Sequence, residues 1–348
     1  MLDNFFAMFS HDMGIDLGTA NTLVSVRGKG ILIREPTVVA IHKKTKEIHA
    51  VGIEAKRMLG KTPSFISAIR PLRDGVISDF YSVEKMLSYF IKKVHETPSG
   101  FPKIPRPRVV LGVPSGITEV ERKAVMDASL SAGARMAYLI EEPMAAAIGS
   151  GLPISEPIGS MIVDMGGGTS EIAVISLGGI VTNKSVRVAG DEIDQEIINY
   201  ARVRYHMLVG DRTAEEIKIL LGNAYPFEND QGVTAMLRGR DLKTGLPKSI
   251  EVNAAEIREA IRNPVYIIIN AVKDAIEETP PELVADILKS GITLAGGTSL
   301  IRGLDVLMAK ETGMPVVIAR DPLTCVVRGC SIVLEDLDLL KRVKAGSS

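Results

Sequence analysis

The sequence has no tryptophan, two cysteines and five histidines among its 348 residues. Cys325 and Cys330 lie close together in the chain, with no second cysteine pair and no histidine beside them. This pattern excludes a disulfide framework and a zinc site of the usual spacing, so we expect both thiols to be reduced, as in the cytosol. The histidines are scattered without the spacing of metal ligands, and none is predicted to bind a metal.

The chain also lacks an excess of charge and any long apolar run. Its formal net charge is −1, which gives no general attraction for nucleic acid or anionic lipid, and no nucleic-acid partner is predicted. No run approaches the ~18 apolar residues that a membrane-spanning helix needs, and the N-terminus has neither a basic start nor a small-residue cleavage site. A content of 46% hydrophobic and 24% charged residues is typical of a soluble, cytoplasmic protein large enough for two lobes.

What the sequence does contain is a repeated hairpin pattern. Residues 161–175 predict a buried strand ending at Asp164, a turn of three glycines and a second strand. Glycines let the backbone approach an anion and turn its N–H groups inward, and a carboxylate at the strand end can hold Mg²⁺ through water. Taken alone, this pattern more often marks an ordinary tight hairpin. Because residues 14–26 repeat it around Asp16, we predict two related lobes that hold one polyphosphate from opposite sides.

Two further strand ends carry candidate functional residues. The predicted strand 136–140 runs into Glu141 and Glu142, and Pro143 suits the first turn of the helix that follows. A carboxylate at such a junction is a candidate catalytic group, although one of the two glutamates could be a solvated cap. The small residues after Pro143 predict close packing of this helix against another element. After the predicted strand 292–295, two glycines would let a flat purine lie against the backbone.

Polar residues mark the predicted starts of several helices. Thr118, Thr213 and Asn253 each stand three positions before a glutamate, which is the spacing of a capping box. Ser82 is predicted to cap an amphipathic helix. Pro264 is predicted to restart the helix that begins after Asn253.

The N-terminal segment is a candidate membrane anchor. Four apolar side chains follow the i, i+3, i+4, i+7 spacing that places them on one face of a short helix: Leu2, Phe5, Phe6 and Phe9. Docking of this face onto the protein's own domain is an equal alternative. The proline-rich loop 96–108 presents Phe101 and Ile104 beside basic residues, which suits a membrane surface, although such loops more often pack against their own lobe.

Five segments in this order resemble the actin, Hsp70 and sugar-kinase ATPase superfamily. They are DLGTANT at 16–22, EEPMAAAIG at 141–149, VDMGGGTSEIAV at 163–174, AGDEID at 189–194 and LAGGTSLIRGL at 294–304. Within that superfamily the sequence is similar over nearly its whole length to the MreB family, the bacterial actins of rod-shaped cells. The resemblance implies an α/β, actin-like ATPase fold. It would have two related lobes, each a mixed sheet flanked by helices with an inserted subdomain, and a nucleotide in the cleft between them.

The resemblance also implies four subdomains. Subdomain IA would comprise 1–32, 71–150 and 322–348, with 33–70 inserted as subdomain IB. Subdomain IIA would comprise 151–189 and 252–321, with 190–251 inserted as subdomain IIB.

Roles for the motif residues follow by position from the same resemblance. Asp16 and Asp164 would orient a hydrated Mg²⁺. The phosphates of ATP would be held by the two turns, Gly18, Thr19, Ala20 and Asn21 in one and Gly166, Gly167 and Gly168 in the other. Glu142, the residue before the proline, would orient the attacking water in preference to Glu141, and Thr169 would assist at the γ-phosphate. The ribose and adenine would contact Glu215, Lys218, Gly296 and Gly297.

A cytoskeletal function is therefore expected. It would comprise ATP-dependent filaments with paired protofilaments, slow hydrolysis coupled to polymerisation, and a peripheral position at the inner face of the cytoplasmic membrane. The expected partners are membrane proteins of the cell-wall elongation machinery, through which the filaments would maintain rod shape by organising lateral peptidoglycan synthesis. The alternatives are a sugar kinase, for which no sugar-pocket motif is evident, and a chaperone-type ATPase, which would need a substrate-binding domain after the ATPase.

Overall fold

The computed structural model describes residues 10–73, 75–96, 106–228 and 230–343. Two compact units divide the chain: the first comprises Met1–Ile158, Ile175–Val181 and Leu323–Ser348, and the second Gly159–Val174 and Thr182–Pro322. The finer division into four subdomains stays a prediction. Within the described ranges, no helix combines the length and apolar character needed to cross a membrane.

Both units contain strands and helices. In chain order the strands are β1 (Met13–Leu17), β2 (Asn21–Val26), β3 (Gly30–Pro36), β4 (Val39–His42), β5 (Ile48–Val51), β6 (Ile66–Ile69), β7 (Leu72–Arg73), β8 (Val76–Ile77), β9 (Arg108–Val113), β10 (Met136–Glu141), β11 (Ser160–Met165), β12 (Ser170–Ser176), β13 (Gly179–Val186), β14 (Met207–Leu208), β15 (Thr234–Asp241), β16 (Pro247–Asn253), β17 (Ile292–Ala295) and β18 (Val316–Ile318). The helices are α1 (Ile53–Met58), α2 (Phe80–His95), α3 (Glu119–Ser131), α4 (Glu142–Ser150), α5 (Gly190–Tyr205), α6 (Asp211–Leu221), α7 (Ala254–Glu277), α8 (Pro281–Ser290), α9 (Leu304–Thr312), α10 (Cys325–Glu335) and α11 (Leu337–Val343).

The main sheet of the first unit has the strand order β10-β9-β1-β2-β3. Strands β10, β9 and β1 are parallel, β2 pairs antiparallel with β1, and β3 pairs antiparallel with β2. β9 is an apolar strand buried from its second residue onward, as expected for a central strand covered on both faces. The buried stripe of α2, which includes Met86 and Phe90, shares one core with Met13 and Leu111 of the sheet. A smaller sheet, β5-β4-β6, belongs to the same unit.

Helices α4 and α10 of the first unit pack with their backbones in contact. A Cβ on Gly329 of α10 would overlap the carbonyl oxygen of Ala145, and a Cβ on Gly149 of α4 would overlap the carbonyl oxygen of Cys325. Since any side chain at either glycine would force the helices apart, the predicted close packing of the small-residue helix is confirmed. The structure identifies α10 as its partner.

The second unit is built around the sheet β13-β12-β11-β17-β18. Strands β11, β17 and β18 are parallel, and β11 is buried along its whole length. The longest helix, α7, contributes Ile268 and Val272 to the core that also contains Met161 and Leu294. A second small sheet, β14-β15-β16, is antiparallel.

Two of the three predicted capping boxes are present. The side chains of Thr118 and Asn253 each accept a hydrogen bond from the backbone of the glutamate three positions later, and that glutamate bonds back to the cap. The prediction for Thr213 is wrong, because α6 begins at Asp211 after Gly210 and places Thr213 inside its first turn. Ser82 is likewise not a cap; its backbone N–H donates to a capping aspartate, Asp79.

The predicted break at Pro264 is also wrong. α7 runs through this proline as one helix of 24 residues. A proline inside a helix costs ~3 kcal/mol, because it removes a hydrogen bond and crowds the preceding turn. The buried residues on both sides, including Ile261, Val265 and Ile268, lie on one apolar face whose burial offsets that cost.

The α4–α10 contact predicts a large effect of one added methyl group. We expect Gly329→Ala to lower the free energy of unfolding by roughly 2–3 kcal/mol, because the new Cβ meets backbone that cannot rotate away. Urea unfolding of the nucleotide-free protein, followed by circular dichroism, measures the change. Gly232→Ala is the matched control, since a Cβ there has no neighbour within 4 Å. Equal midpoints for the two variants would contradict the packing described.

Candidate functional site

Two of the predicted site residues meet at the carboxyl ends of the parallel strands in the first unit. Asp16 of β1 lies opposite Gly112 of β9. The Cγ of Glu142 is 3.4 Å from the position that a Cβ on Gly112 would occupy. Asp16 and Glu142 therefore flank one glycine, at the edge of a parallel sheet where ligands characteristically bind.

Burial acts strongly on the Asp16 carboxyl group. It raises the pKa of Asp16 to about 7, although the side chain keeps some solvent contact. Desolvation disfavours a lone negative charge, and a nearby cation reverses that preference. The carboxylate is thus placed where a bound cation would stabilise its ionised form.

Glu142 and Glu141 occupy different positions. Glu141 is the last residue of β10, paired with Val113, whereas Glu142 is the first residue of α4 and is 9% exposed. The fully buried Cys330 of α10 is close enough to Asp16 and Glu142 for their charges to act on its thiol. Burial raises the pKa of this thiol well above its usual range, and the two carboxylates raise it further. The more buried glutamate is the one that faces the sheet edge.

The first glycine turn is held by residues that follow it in the chain. The Thr37 hydroxyl donates to the carbonyl oxygen of Gly18 at 2.6 Å, and the Thr37 N–H donates to the carbonyl of Ala20 at 3.0 Å. The backbone N–H of Gly75 donates to the Thr19 hydroxyl at 3.2 Å. A second hydroxyl, that of Thr22, lies 2.8 Å from the Thr37 hydroxyl. Sequence reasoning missed Thr37, because a threonine after a strand-end proline carries no distinct signal.

Carbonyl groups of the second glycine turn are held from one side. The carbonyl oxygen of Gly166 accepts the backbone N–H of Gly190 at 3.3 Å and the hydroxyl of Thr298 at 2.8 Å. The carbonyl oxygen of Gly167 accepts the N–H of Asp191 at 2.7 Å. In a trans peptide the C=O and the following N–H point in opposite directions. The N–H groups that follow these two carbonyls therefore point away from the N-terminus of α5.

Asp164 and the glycines after β17 lie side by side. Asp164 pairs in register with Ala295, and both Asp164 and Thr169 are 7% exposed. Gly296 has φ +79°, and a Cβ there would overlap the carbonyl oxygen of Met165 and lie 2.7 Å from the Asp164 carboxylate. Glycine is required at position 296 by this close approach of the protein's own backbone.

Lys218 of α6 is tied to the first turn of α5. Its ammonium lies 2.9 Å from the carboxylate of Asp194 and donates to the carbonyl oxygen of Gly190 at 2.8 Å. Burial raises the pKa of Asp194 to about 6 even though Lys218 lowers it, and the charges of Glu215 and Asp191 raise it further. Asp194 was missed in the sequence, where its only signal was its place in the AGDEID segment.

The structure groups the predicted residues by unit. In the first unit Asp16 and Glu142 share the sheet edge that leads into the turn from Gly18 to Asn21. In the second, the glycine turn, Asp164, Thr169, the glycines at 296 and 297, and Lys218 with Glu215 lie around the N-terminus of α5 and the end of β17. The proposed membrane residues lie outside the described part of the chain: Leu2, Phe5, Phe6, Phe9, Phe101 and Ile104.

Solved structures identify the class of protein that this fold and site define. MreB5 of Spiroplasma citri bound to ADP matches with a TM-score of 0.88 and 36% sequence identity, covering 96% of this chain and 98% of that one. The MamK double helical filament matches with a TM-score of 0.76 at 22% identity, which supports the fold alone. The chain therefore has an actin-like fold, as its sequence motifs implied.

Sequence comparison narrows this class to one family. The family model for MreB/Mbl protein matches residues 10–342. The cell shape-determining protein MreB of Escherichia coli strain K12 is 53% identical over 97% of both chains. The cell shape-determining protein Mbl of Bacillus subtilis strain 168 is 48% identical over 97% of this chain and 99% of its own. The chain belongs to the MreB/Mbl family, which confirms the resemblance drawn from its motifs.

The hydrogen bonds that hold the first glycine turn can be tested by changing Thr37. We expect Thr37→Val to lower the free energy of unfolding by about 1–3 kcal/mol, because the buried Thr22 hydroxyl and the Gly18 carbonyl lose their partner. Amide hydrogen exchange should accelerate at Gly18 and Ala20. Thr62→Val, a similar change outside the turn, is the control. Unchanged exchange at the turn would show that Thr37 does not hold it.

Proposed function

We propose that this protein is an ATP-dependent, membrane-associated filament protein that maintains rod cell shape by organising lateral peptidoglycan synthesis. The observation that carries the proposal is a pattern that recurs in both units. An aspartate stands next to the last residue of a buried strand, and the glycine turn that follows has carbonyl groups that accept hydrogen bonds from neighbouring segments. Relatives named cell shape-determining proteins support the cellular role. MreB5 of S. citri, solved with ADP and with AMPPNP, supports adenine nucleotide as the ligand.

The two turns are proposed to hold the phosphates of ATP. The contributing residues are Gly18, Thr19, Ala20 and Asn21 together with Gly166, Gly167 and Gly168. In the second turn, the peptide planes direct N–H groups away from α5, which is the arrangement that an anion-binding nest requires. Glu215, Lys218, Gly296 and Gly297 are proposed to serve the ribose and adenine.

The carboxylates at the two strand ends fit a hydrated Mg²⁺. Mg²⁺ prefers oxygen ligands, keeps several waters and is held by one or two carboxylates beside phosphate. Asp16 fits this chemistry, because burial without a cation raises its pKa to about 7. Asp164 fits it as a buried carboxylate beside the second turn. When bound, the ion would supply charge neutralisation for the phosphates.

Glu142 and Thr169 are proposed to serve hydrolysis. In-line attack on a phosphate needs a positioned water more than a strong base. The Glu142 carboxylate, buried beside Gly112, is suited to orient that water, and the Thr169 hydroxyl is suited to assist at the γ-phosphate. With one positioned carboxylate and no strong base, we expect hydrolysis to be slow. Its coupling to polymerisation is proposed from the family resemblance.

Assembly into filaments of paired protofilaments is the central step of the proposal. Pelleting and electron microscopy with ATP and without nucleotide test assembly directly. Saturable, sugar-dependent ATP turnover without polymer would contradict the proposal and favour a sugar kinase.

Membrane attachment is proposed to occur at the inner face of the cytoplasmic membrane, beside membrane proteins of the elongation machinery. Burying one large apolar side chain yields roughly 1.5–3 kcal/mol at full burial, but an interfacial helix buries its face only partly and must be ordered. One copy of the N-terminal segment should therefore bind weakly. A filament aligns many copies, and each bound copy raises the effective concentration of the next anchor.

The assignment of Glu142 makes a kinetic prediction. We expect Glu142→Ala to slow phosphate release by ~10²-fold while ATP affinity changes only by about a few-fold, because the water loses its orienting group but the phosphate turns remain. Asp16→Ala should instead weaken binding of Mg-ATP. Single-turnover phosphate release and ATP titration separate the two effects. Glu141→Ala is the control, and normal hydrolysis in Glu142→Ala would transfer the role to Glu141.

The membrane proposal predicts flotation of assembled protein with liposomes. Phe5→Ser combined with Phe9→Ser should abolish flotation without impairing polymerisation, because the apolar face is lost while the ATPase units are unchanged. Residues 1–12 contain two aspartates and no lysine or arginine, so dependence on anionic lipid and salt should be weak. Unchanged flotation after deletion of residues 2–10 would instead leave the Phe101 and Ile104 loop as the attachment site.

A further inference from the structure

Asp194 and Lys218 form a buried ion pair that the roles assigned above do not explain. Asp194 lies on the first turns of α5, is 7% exposed, and reaches the ammonium of Lys218 on α6 at 2.9 Å. The same ammonium donates to the Gly190 carbonyl at 2.8 Å. A lysine has three N–H donors on a long, flexible side chain. The Lys218 ammonium therefore makes one hydrogen bond and one ion pair with α5, and the Lys218 side chain remains 16% exposed.

The position of the pair relative to the second glycine turn is informative. Gly190, which accepts from Lys218, also donates its N–H to the carbonyl of Gly166. A Cβ on Gly190 would lie 3.2 Å from both the Lys218 ammonium and the Thr298 hydroxyl. Lys218 is therefore on the side of the turn to which the carbonyls point. The N–H groups suited to phosphate point the other way.

The electrostatics of the pair favour a role other than stability. Burial raises the pKa of Asp194 to about 6 despite the attraction of Lys218, with Glu215 of α6 and Asp191 of α5 raising it further. A buried ion pair must offset the loss of hydration of both ions, and well-packed apolar residues often serve stability equally well. Such a pair does, however, hold a flexible lysine side chain in one orientation.

We propose that Asp194 is a positioning residue that holds the Lys218 ammonium for the nucleoside end of the bound nucleotide. This inference rests on the proposed ATP site and adds a residue to it. Lys218 directs an N–H that is not donated to Gly190 to an oxygen or nitrogen acceptor of the ribose or base, and Asp194 acts on the nucleotide only through Lys218. Since the ammonium lies on the carbonyl side of the phosphate turn, the polyphosphate gains little from it.

Comparing the affinity for Mg-ATP with that for inorganic tripolyphosphate distinguishes contacts to the nucleoside from contacts to the phosphates, because tripolyphosphate lacks the nucleoside. Asp194→Asn and Lys218→Gln should each weaken Mg-ATP binding about tenfold, because a hydrogen bond from a fixed charged group is lost. Their affinity for tripolyphosphate should stay within about twofold of wild type, because the turn itself is intact. Displacement of a fluorescent ATP analogue from dilute, unassembled protein measures both ligands. Loss of both affinities to the same extent would overturn the proposal.

A double-mutant cycle and a pH profile distinguish positioning from a purely structural role. The double variant should bind Mg-ATP no more weakly than either single variant, because both changes remove one interaction. The ratio of wild-type affinities for Mg-ATP and tripolyphosphate should fall as the pH drops through about 6, where Asp194 gains its proton and releases Lys218, whereas this step should be absent from Asp194→Asn. Additive losses of Mg-ATP affinity in the double variant, or the same pH profile in wild type and Asp194→Asn, would contradict the positioning role of Asp194.

Glu192→Gln is the matched control, since it removes one negative charge from an exposed position on the same turn of α5. It should bind Mg-ATP like wild type. If the wild-type protein fails to bind Mg-ATP, the proposed function itself is wrong. If it binds and Asp194→Asn binds equally well, only the positioning role is wrong. Should Asp194→Asn fail to fold, the pH profile of Lys218→Gln decides, because its ratio of Mg-ATP to tripolyphosphate affinity should lack the wild-type step near pH 6, and a retained step would overturn the proposal.

Discussion

The trans geometry of the peptide bond is the constraint on which the candidate phosphate site of the second unit depends. A carbonyl oxygen that is held by a donor fixes the opposite direction for the next N–H. In the second turn, the donors come from the N-terminus of α5 and from Thr298, which lies in a short 3-10 helix, Gly297–Leu300, after β17. These two segments orient the backbone of glycines, which have no side chains of their own. Glycine makes the turn accessible to an anion, and the surrounding elements decide which way it faces.

In the first unit, close helix packing plays the corresponding part. α4 can begin at Glu142, directly after β10, and still lie against α10 only because Gly149 and Gly329 let the two backbones touch. Because Glu142 is the first residue of α4, this close contact also helps to place its side chain beside Gly112 at the sheet edge. It also brings the buried thiol of Cys330 close to Asp16 and Glu142, a neighbourhood that the position of this cysteine in the chain does not suggest.

Buried carboxylates recur at these functional edges, and each is energetically unfavourable in isolation. Burial raises the pKa of Asp16 to about 7 and that of Asp194 to about 6. Near neutral pH, each carboxyl group is therefore easily protonated unless a cation stabilises its ionised form. Such groups contribute little to stability and concentrate where ligands or charged partners are to be bound. Under the function proposed above, both carboxylates would serve the binding of a nucleotide.

By itself the sequence determined what depends on short stretches of chain: the Asp–Gly hairpins, the capping boxes at Thr118 and Asn253, and the motifs that identify an actin-like protein. These features are local, because the residues that form them are within a few positions of one another. Only the tertiary structure decided that Thr37 holds the turn at Gly18, that α10 is the partner of α4, and that Asp194 pairs with Lys218. It also decided that Pro264 stays within one helix, since burial of the surrounding apolar face outweighs a local preference to break. Contacts between distant segments depend on which faces the fold brings together, and no spacing within the sequence encodes that.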